Sequence, residues 1–269
     1  MARPIVFLSD YGLDDEFVGI CHGVIARVSP ESRVIDLTHG VPAQDVLRGA
    51  ILLAQSMLYM PEDAVFLGVV DPGVGTARRP VAVRDEAGFL TVGPDNGLLS
   101  LSWVGGPAEA VEIASPDAVL LPISPTFHGR DVFAPAAAHL ARGARLEDLG
   151  PAIDPRTLFL LEVPALDVGE TWVRGRVAAV DRFGNLQLSI HQSDLVDLGM
   201  QELSSLLVSA GARDMELRRV VTFGELQPGE DGIVVDSSGA LALVRNGESA
   251  AEALQLAPGD DVLLRREAG

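Results

Sequence analysis

The sequence predicts a chain of two parts: a mixed α/β part with a mainly parallel sheet, then a smaller antiparallel β part, sandwich or barrel. Two observations carry this expectation. In the first half, short apolar runs alternate with segments of helical spacing, in the order strand, helix, strand, helix, strand that builds a parallel sheet. In the second half the helical spacing fades and short strand-like runs recur between turn residues.

Each element has its own signal. Pro4 to Leu8 reads as a buried strand that ends in Ser9-Asp10. Residues 15–28 carry Phe17, Ile20, Cys21, Val24, Ile25 and Val28 at helical spacing, and Pro30 stops that helix. Val34 to Leu37 is a second strand. A longer helix is expected from about Gln44 to Leu58, with an apolar stripe including Val46, Leu47, Ala50, Ile51, Leu53, Ala54 and Met57, and Pro61 beyond it. Ala64 to Val70 is the clearest strand, and Asp71 follows it. Val81 to Arg84 and Phe89 to Val92 flank a turn at Glu86-Ala87-Gly88, and a helical stretch from Val132 to Arg142 closes at Gly143. Residues 150–170 hold three prolines and few helix signals, which places the boundary there. Strand-like runs follow at Val173 to Val180, Leu186 to Ile190, Leu206 to Ser209, Ile233 to Val235, Leu241 to Val244 and Asp261 to Leu264.

Composition excludes several functions. The formal net charge of −18 argues against nucleic acid or an anionic membrane as partner, since both require a basic surface. It is compatible with a cationic ligand, and equally with solubility alone. The apolar runs are too short to span a bilayer, and no signal peptide is read at the N-terminus. The single cysteine, Cys21, cannot form an internal disulfide, so a reducing cytoplasm is the expected compartment. All 20 basic residues are arginine. Schiff-base, pyridoxal-phosphate and P-loop chemistry each need a lysine and are excluded.

Candidate chemistry begins with the aspartates at two strand ends, Asp10 and Asp71. Ligands of open parallel sheets bind beyond the carboxyl ends of the strands, so the two carboxylates either share a cleft or cap turns. The run Asp71-Pro72-Gly73-Val74-Gly75-Thr76-Ala77-Arg78-Arg79 lacks the third glycine and the following helix of a dinucleotide loop. Its glycines either let backbone approach a ligand or form a tight turn. His128 sits in Pro125-Thr126-Phe127-His128-Gly129-Arg130-Asp131. The other histidines, His22, His39, His139 and His191, are scattered, with no HExxH pair and no cysteine cluster, so no metal site is expected. No GxSxG elbow is present. In the second half, Asp181 to Asn185, Asp236 to Gly239 and Arg245-Asn246-Gly247 each read singly as turns.

Five segments, in order, give the chain a family resemblance: LSDYGLDDEFVG at 8–19, VVDPGVGTARR at 69–79, FHGRD at 127–131, DRFGN at 181–185 and SSGALALVRNG at 237–247. Together they resemble the S-adenosylmethionine (SAM) hydroxide adenosyltransferases, relatives of enzymes that fluorinate and chlorinate the same substrate. The resemblance implies an N-terminal α/β domain, residues 1–163, carrying a water-activating triad, and a C-terminal antiparallel β-barrel, residues 172–269, contributing to the adenine and methionine pocket. It implies a homotrimer that binds SAM at subunit interfaces. By motif matching the triad falls on Asp71, Arg78 and His128. Asp10 matches the carboxylate that holds the ribose hydroxyls, Asp181 a group near methionine and Asn185 one near adenine. Ser237 and Arg245 fall in the segment that completes the pocket, with Ser238 where some relatives carry arginine. The halogenating relatives carry tyrosine where Asp71 stands, so the resemblance favours water over halide.

The activity so implied is hydrolysis of SAM to adenosine and methionine, by in-line attack of water on the ribose 5′ carbon. Methionine leaves as a neutral thioether, so no general acid is needed, and no metal or organic cofactor is expected. Asp71 and His128 are each expected to accept a hydrogen bond from that water, with Arg78 fixing the carboxylate or stabilising developing hydroxide. Two other readings stand beside it: a sensor or sequestering protein that binds SAM or adenosine with little turnover, and a slow SAM-dependent halogenase.

Overall fold

The computed structural model describes residues 2–211 and 213–266. The chain divides into two compact units, Met1–Val163 and Pro164–Gly269.

The first unit contains, in order, β1 (Ile5–Ser9), α1 (Phe17–Val28), β2 (Val34–Thr38), α2 (Val46–Met57), β3 (Val65–Val69), β4 (Pro80–Asp85), β5 (Leu90–Pro94), β6 (Pro107–Glu112), α3 (Ala134–Ala141) and β7 (Ala152–Ile153). Seven strands form one sheet in the order β2-β1-β3-β5-β4-β6-β7. The pairs β1–β2, β1–β3 and β3–β5 are parallel, and the pairs from β4 outward are antiparallel. Period-two alternation explains the two cores. Ile5 and Phe7 of β1, with Val65 and Leu67 of β3, face α1 and α3, whereas Val6, Leu8 and Phe66 face α2. Because both faces are covered, β1 and β3 are buried along their whole length, which is why they read as continuous apolar runs.

Two helix starts differ from the sequence expectation, for local reasons. The second helix begins at Val46 rather than near Gln44, because Gln44 adopts a positive φ of 66° and Asp45 caps the helix, accepting from Arg48 N at 2.9 Å. The third is preceded by a π-helical turn, Gly129–Phe133, which tilts the residues after His128 away from regular helix.

The second unit contains β8 (Asp167–Val168), β9 (Trp172–Val180), β10 (Leu186–His191), β11 (Ser205–Ala210), β12 (Arg213–Arg219), β13 (Asp231–Val235), β14 (Ala240–Arg245), α4 (Ala250–Leu254) and β15 (Asp261–Arg265). The order β10-β14-β13-β12-β11-β15-β9 closes on itself through β9–β10, giving a seven-stranded barrel with β8 appended to β9. Val173, Val177, Leu188, Ile190, Val208 and Leu264 fill its interior. One pairing departs from the antiparallel expectation: β12 and β13 run parallel over a short register, Arg218 with Gly232 and Arg219 with Ile233.

Candidate active site

The end of β3 leads directly to Asp71, and Asn96 Nδ2 pins the carbonyl of Val70 just before it, at 2.9 Å. Seven residues on, Arg78 folds back onto that carboxylate. Its Nε donates to Asp71 Oδ1 at 3.1 Å and its Nη2 to Oδ2, a bidentate pair with both side chains more than nine-tenths buried. The same Nη2 donates to His128 Nδ1 at 3.0 Å. The guanidinium also lies over the Phe133 ring, 5.2 Å from its centroid. Three residues from two distant segments thus form one hydrogen-bonded line, Asp71–Arg78–His128.

The two arginines of the loop part company. Arg79 turns away to Asp95, at 2.9 and 2.5 Å, and to the Thr157 carbonyl at 2.6 Å, so it braces the sheet.

The approach of the two loops depends on glycine. Gly75 has φ +76°, and a Cβ there would lie 2.4 Å from the carbonyl oxygen of Pro125. The close approach read from this glycine is therefore made to the His128 loop. Asp131 shapes that loop from within, accepting Ser124 N at 2.8 Å and pairing with Arg130 at 2.6 and 2.8 Å.

Burial sets the electrostatics. Desolvation pushes the Asp71 carboxyl above its ordinary value, against the opposing pull of Arg78. Desolvation, then the adjacent Arg78 charge, holds His128 below the ordinary imidazole value. A guanidinium can only donate, so His128 Nδ1 is the acceptor and the neutral ring carries its proton on Nε2. This corrects one expectation: His128 cannot accept from water through Nδ1, and what it offers at Nε2 is a donor. Arg78 Nη1 is buried and makes no hydrogen bond to the described protein atoms.

Asp10 lies at the carboxyl end of β1, next to β3 in the sheet, and its Oδ2 accepts the backbone N–H of Gln44 at 2.8 Å. That contact accounts for the left-handed conformation of Gln44. Tyr11, which the sequence reading did not single out, stands among these groups. Its hydroxyl occupies the place where a Cβ on Gly129 would be, 2.0 Å away, and its pKa is raised by burial, then by Cys21, Asp10 and Asp71. The sequence signal was its place directly after Asp10.

In the barrel, Asp181 organises its own turn. Oδ1 accepts Phe183 N at 2.8 Å and Asn185 N at 2.9 Å, and Oδ2 accepts Asn185 Nδ2 at 2.7 Å. Asn185 and Arg245 line one cavity of about 520 Å³ together with Phe183, Phe223, Gly247, Glu248 and Ser249. Arg245 is held there by Asp231, at 2.8 and 2.7 Å. Phe183 and Phe223, both exposed, were missed from the sequence; their mark is a large aromatic directly before a glycine. Ser237 is not brought into this cavity. It lies in the turn before β14, beyond the opposite end of that strand from Arg245, and the strand itself spans about 17 Å at the usual rise per residue.

A two-unit protein with an α/β sheet, a closed barrel and an Asp–Arg–His line at the sheet's carboxyl edge defines a narrow class. Residues 5–150 match the SAM hydroxide adenosyltransferase N-terminal domain and residues 175–263 its C-terminal domain. The chain belongs to the SAM hydroxide adenosyltransferase family. It is 48% identical to the (R)-S-adenosyl-L-methionine hydrolase of Salinispora tropica, over 95% of each chain. It is 32% identical to a fluorinase of Nocardia brasiliensis, over 98% of this chain and 97% of that one. The solved structure of an uncharacterized conserved protein from Thermotoga maritima superimposes with a TM-score of 0.91 at 34% identity, covering 97% of this chain and all of the other.

Proposed function

We propose that the protein hydrolyses S-adenosyl-L-methionine to adenosine and L-methionine, with the (R) form of the hydrolase relatives' name as its substrate. The observation that carries this is the buried Asp71–Arg78–His128 line, joined to 48%, 46% and 41% identity with three hydrolase relatives against 31–32% with the fluorinases.

In this reading water attacks the ribose 5′ carbon in line with the sulfonium, and the C5′–S bond breaks. The bonding pair stays on sulfur, leaving methionine as a neutral thioether, so no acid is required. Asp71 accepts a hydrogen bond from the water and takes that proton as the O–C5′ bond forms, so that neutral adenosine results, and His128 Nε2–H donates to its oxygen. Arg78 fixes both partners, and its Nη1 is a further buried donor for the oxygen as negative charge develops. Orientation of the nucleophile supplies much of the effect; well-placed groups remove on the order of 7–11 kcal/mol of barrier. Asp10 holds the ribose hydroxyls, Asn185 meets adenine between Phe183 and Phe223, and Arg245 braces that pocket; Asp181, expected near methionine, instead fixes the Asn185 amide, while Ser237, at the other end of β14, serves the methionine. The reaction calls for no metal or organic cofactor.

The assembly proposed is a homotrimer with sites at subunit interfaces, in the cytoplasm. Two things support this reading: the resemblance, and the division of the candidate residues between the units. Cys21 is buried and its thiol is pushed up to about 12 by burial, as suits a reduced structural cysteine. Among the described residues no helix is long and apolar enough to cross a membrane.

Turnover of resolved sulfonium epimers in ¹⁸O-labelled water is the test. Adenosine labelled at the 5′ oxygen, plus methionine, is the expected result. A 5′-halo-adenosine formed with halide would establish the halogenase reading. Unchanged ligand recovered from the protein would establish a binder.

A further inference from the structure

Outside the triad, three side chains bring metal-ligating atoms together. His22 on α1, Asp36 on β2 and His39 just beyond β2 place Nε2, Oδ1 and Nε2 within 4.8 Å of one another. Asp36 Oδ1 is 2.8 Å from His22 Nε2 and 3.1 Å from His39 Nε2. We propose that this cluster binds a divalent transition metal ion of the zinc class through His22 Nε2, His39 Nε2 and Asp36 Oδ1.

Ligand type and number support the assignment. Two imidazoles and one carboxylate are a ligand set that zinc and its neighbours accept, leaving a position for water. With bonds of about 2.0–2.2 Å, neighbouring ligands of a tetrahedral ion stand roughly 3.4 Å apart. The two observed pairs, at 2.8 and 3.1 Å, are shorter than that by roughly 0.6 and 0.3 Å, and the two Nε2 atoms stand within 4.8 Å of each other, so rotation of the part-exposed His22 and Asp36 side chains would admit an ion.

The ligands also have the support that metal sites require. His39 is 2% exposed and packs edge-on against Phe7, with ring centroids 4.6 Å apart. Its Nδ1 is 2.7 Å from Ser9 Oγ. A serine hydroxyl serves both tautomers of the ring. It donates to Nδ1 when Nε2–H points at Asp36, and it accepts Nδ1–H when Nε2 holds a metal. Binding therefore needs each imidazole to carry its proton on Nδ1 rather than on the Nε2 that faces Asp36, and at His39 the Ser9 hydroxyl accepts it there. On the outer side His22 and Asp36 are 34% and 44% exposed, which leaves a path for the ion and its water. The spacing hid the site, because His22 and Asp36 are fourteen residues apart on different elements. Ser9 precedes Asp10, so an ion here would also stiffen the end of β1 that carries that carboxylate.

The full chain, stripped of metal with a chelator, should take up one Co²⁺ per chain with ligand-field bands in the visible, displaced by Zn²⁺. Zn²⁺ should raise its melting temperature. His22→Ala lies on the helix surface, and circular dichroism will show that the variant folds; it should lose both effects. Ser9→Ala should weaken Co²⁺ binding about 10- to 100-fold, as loss of a partner hydrogen bond to a ligating histidine does. Wild type without saturable bands, or His22→Ala binding Co²⁺ as wild type does, overturns the proposal.

Discussion

Arg78 Nη2 donates to His128 Nδ1 at 3.0 Å while also gripping Asp71, so one guanidinium nitrogen sets the orientation of both neighbours. The imidazole is thereby held neutral, with its remaining proton on Nε2. Protonating it would put a positive charge and an N–H against a guanidinium that can only donate.

The pH profile follows from that contact. His128 titrates below the ordinary imidazole value of about 6.5, and Asp71 above the ordinary carboxyl value. Lowering the pH protonates each: Asp71 ceases to accept from the water, and His128 gains an Nδ1–H that breaks its contact with Arg78 and so the alignment of the line. Activity should therefore fall on acidification, and the His128 imidazole, followed by NMR, should titrate below pH 6.5. An imidazole titration centred at or above pH 6.5 would contradict a neutral ring. His128→Ala should lower kcat by roughly 10²–10⁴-fold, in the range of a positioned acid–base group.

Asp71→Asn keeps the shape and removes the charge. Turnover should fall by roughly 10²–10³-fold, the scale for one lost electrostatic partner, while substrate affinity stays near wild type. Arg78 would be left buried without its counter-charge, and breaking a buried pair from one side costs about 3–5 kcal/mol. Calorimetry should show that loss of stability. Lost affinity with normal turnover of bound substrate would show that Asp71 binds rather than orients.

Gly75→Ala tests the approach of the two loops. Its Cβ would meet the Pro125 carbonyl at 2.4 Å, and φ +76° is itself unfavourable for alanine, at about 1–3 kcal/mol. The loops must separate, moving Arg78 from His128. A displacement near 1 Å is enough for roughly 100-fold in rate. Kinetics and a melting curve of the same variant check both effects; wild-type values for each would mean the loops do not depend on this glycine.

These sites differ in how far the sequence exposes them. Asp10 and Asp71 were legible because β1 and β3 are buried on both faces, so their apolar runs end sharply where the chain reaches the sheet edge. Arg78 and Arg79 are indistinguishable by local pattern; only the distant Asp95 and the Thr157 carbonyl decide which one turns outward. β12 was hidden by its charge, since Arg213 to Arg219 offers only Met215 and Leu217 to the barrel. Gln44 reads as helical, yet it gives its backbone N–H to Asp10, a tertiary demand that overrides helix propensity.

The barrel cavity yields the last prediction. Phe183 and Phe223 are exposed aromatics on the wall that also presents Asn185 and Arg245. A flat heteroaromatic base gains from such rings, and truncating one costs about 1–3 kcal/mol, roughly 5- to 150-fold in affinity. Phe223→Ala should raise KM within that range and weaken adenosine binding in parallel. Its kcat should stay within a few-fold of wild type, because Asp71, Arg78 and His128 belong to the other unit of the chain. Asn185→Ala should raise KM too, by removing a polar contact to the base. It also frees Asp181 Oδ2, so its melting temperature must be measured alongside. Titration calorimetry with adenosine separates the contributions: adenine in this cavity means that both variants lose adenosine affinity. Unchanged adenosine binding in Phe223→Ala, with a fall in kcat instead, would place the base elsewhere.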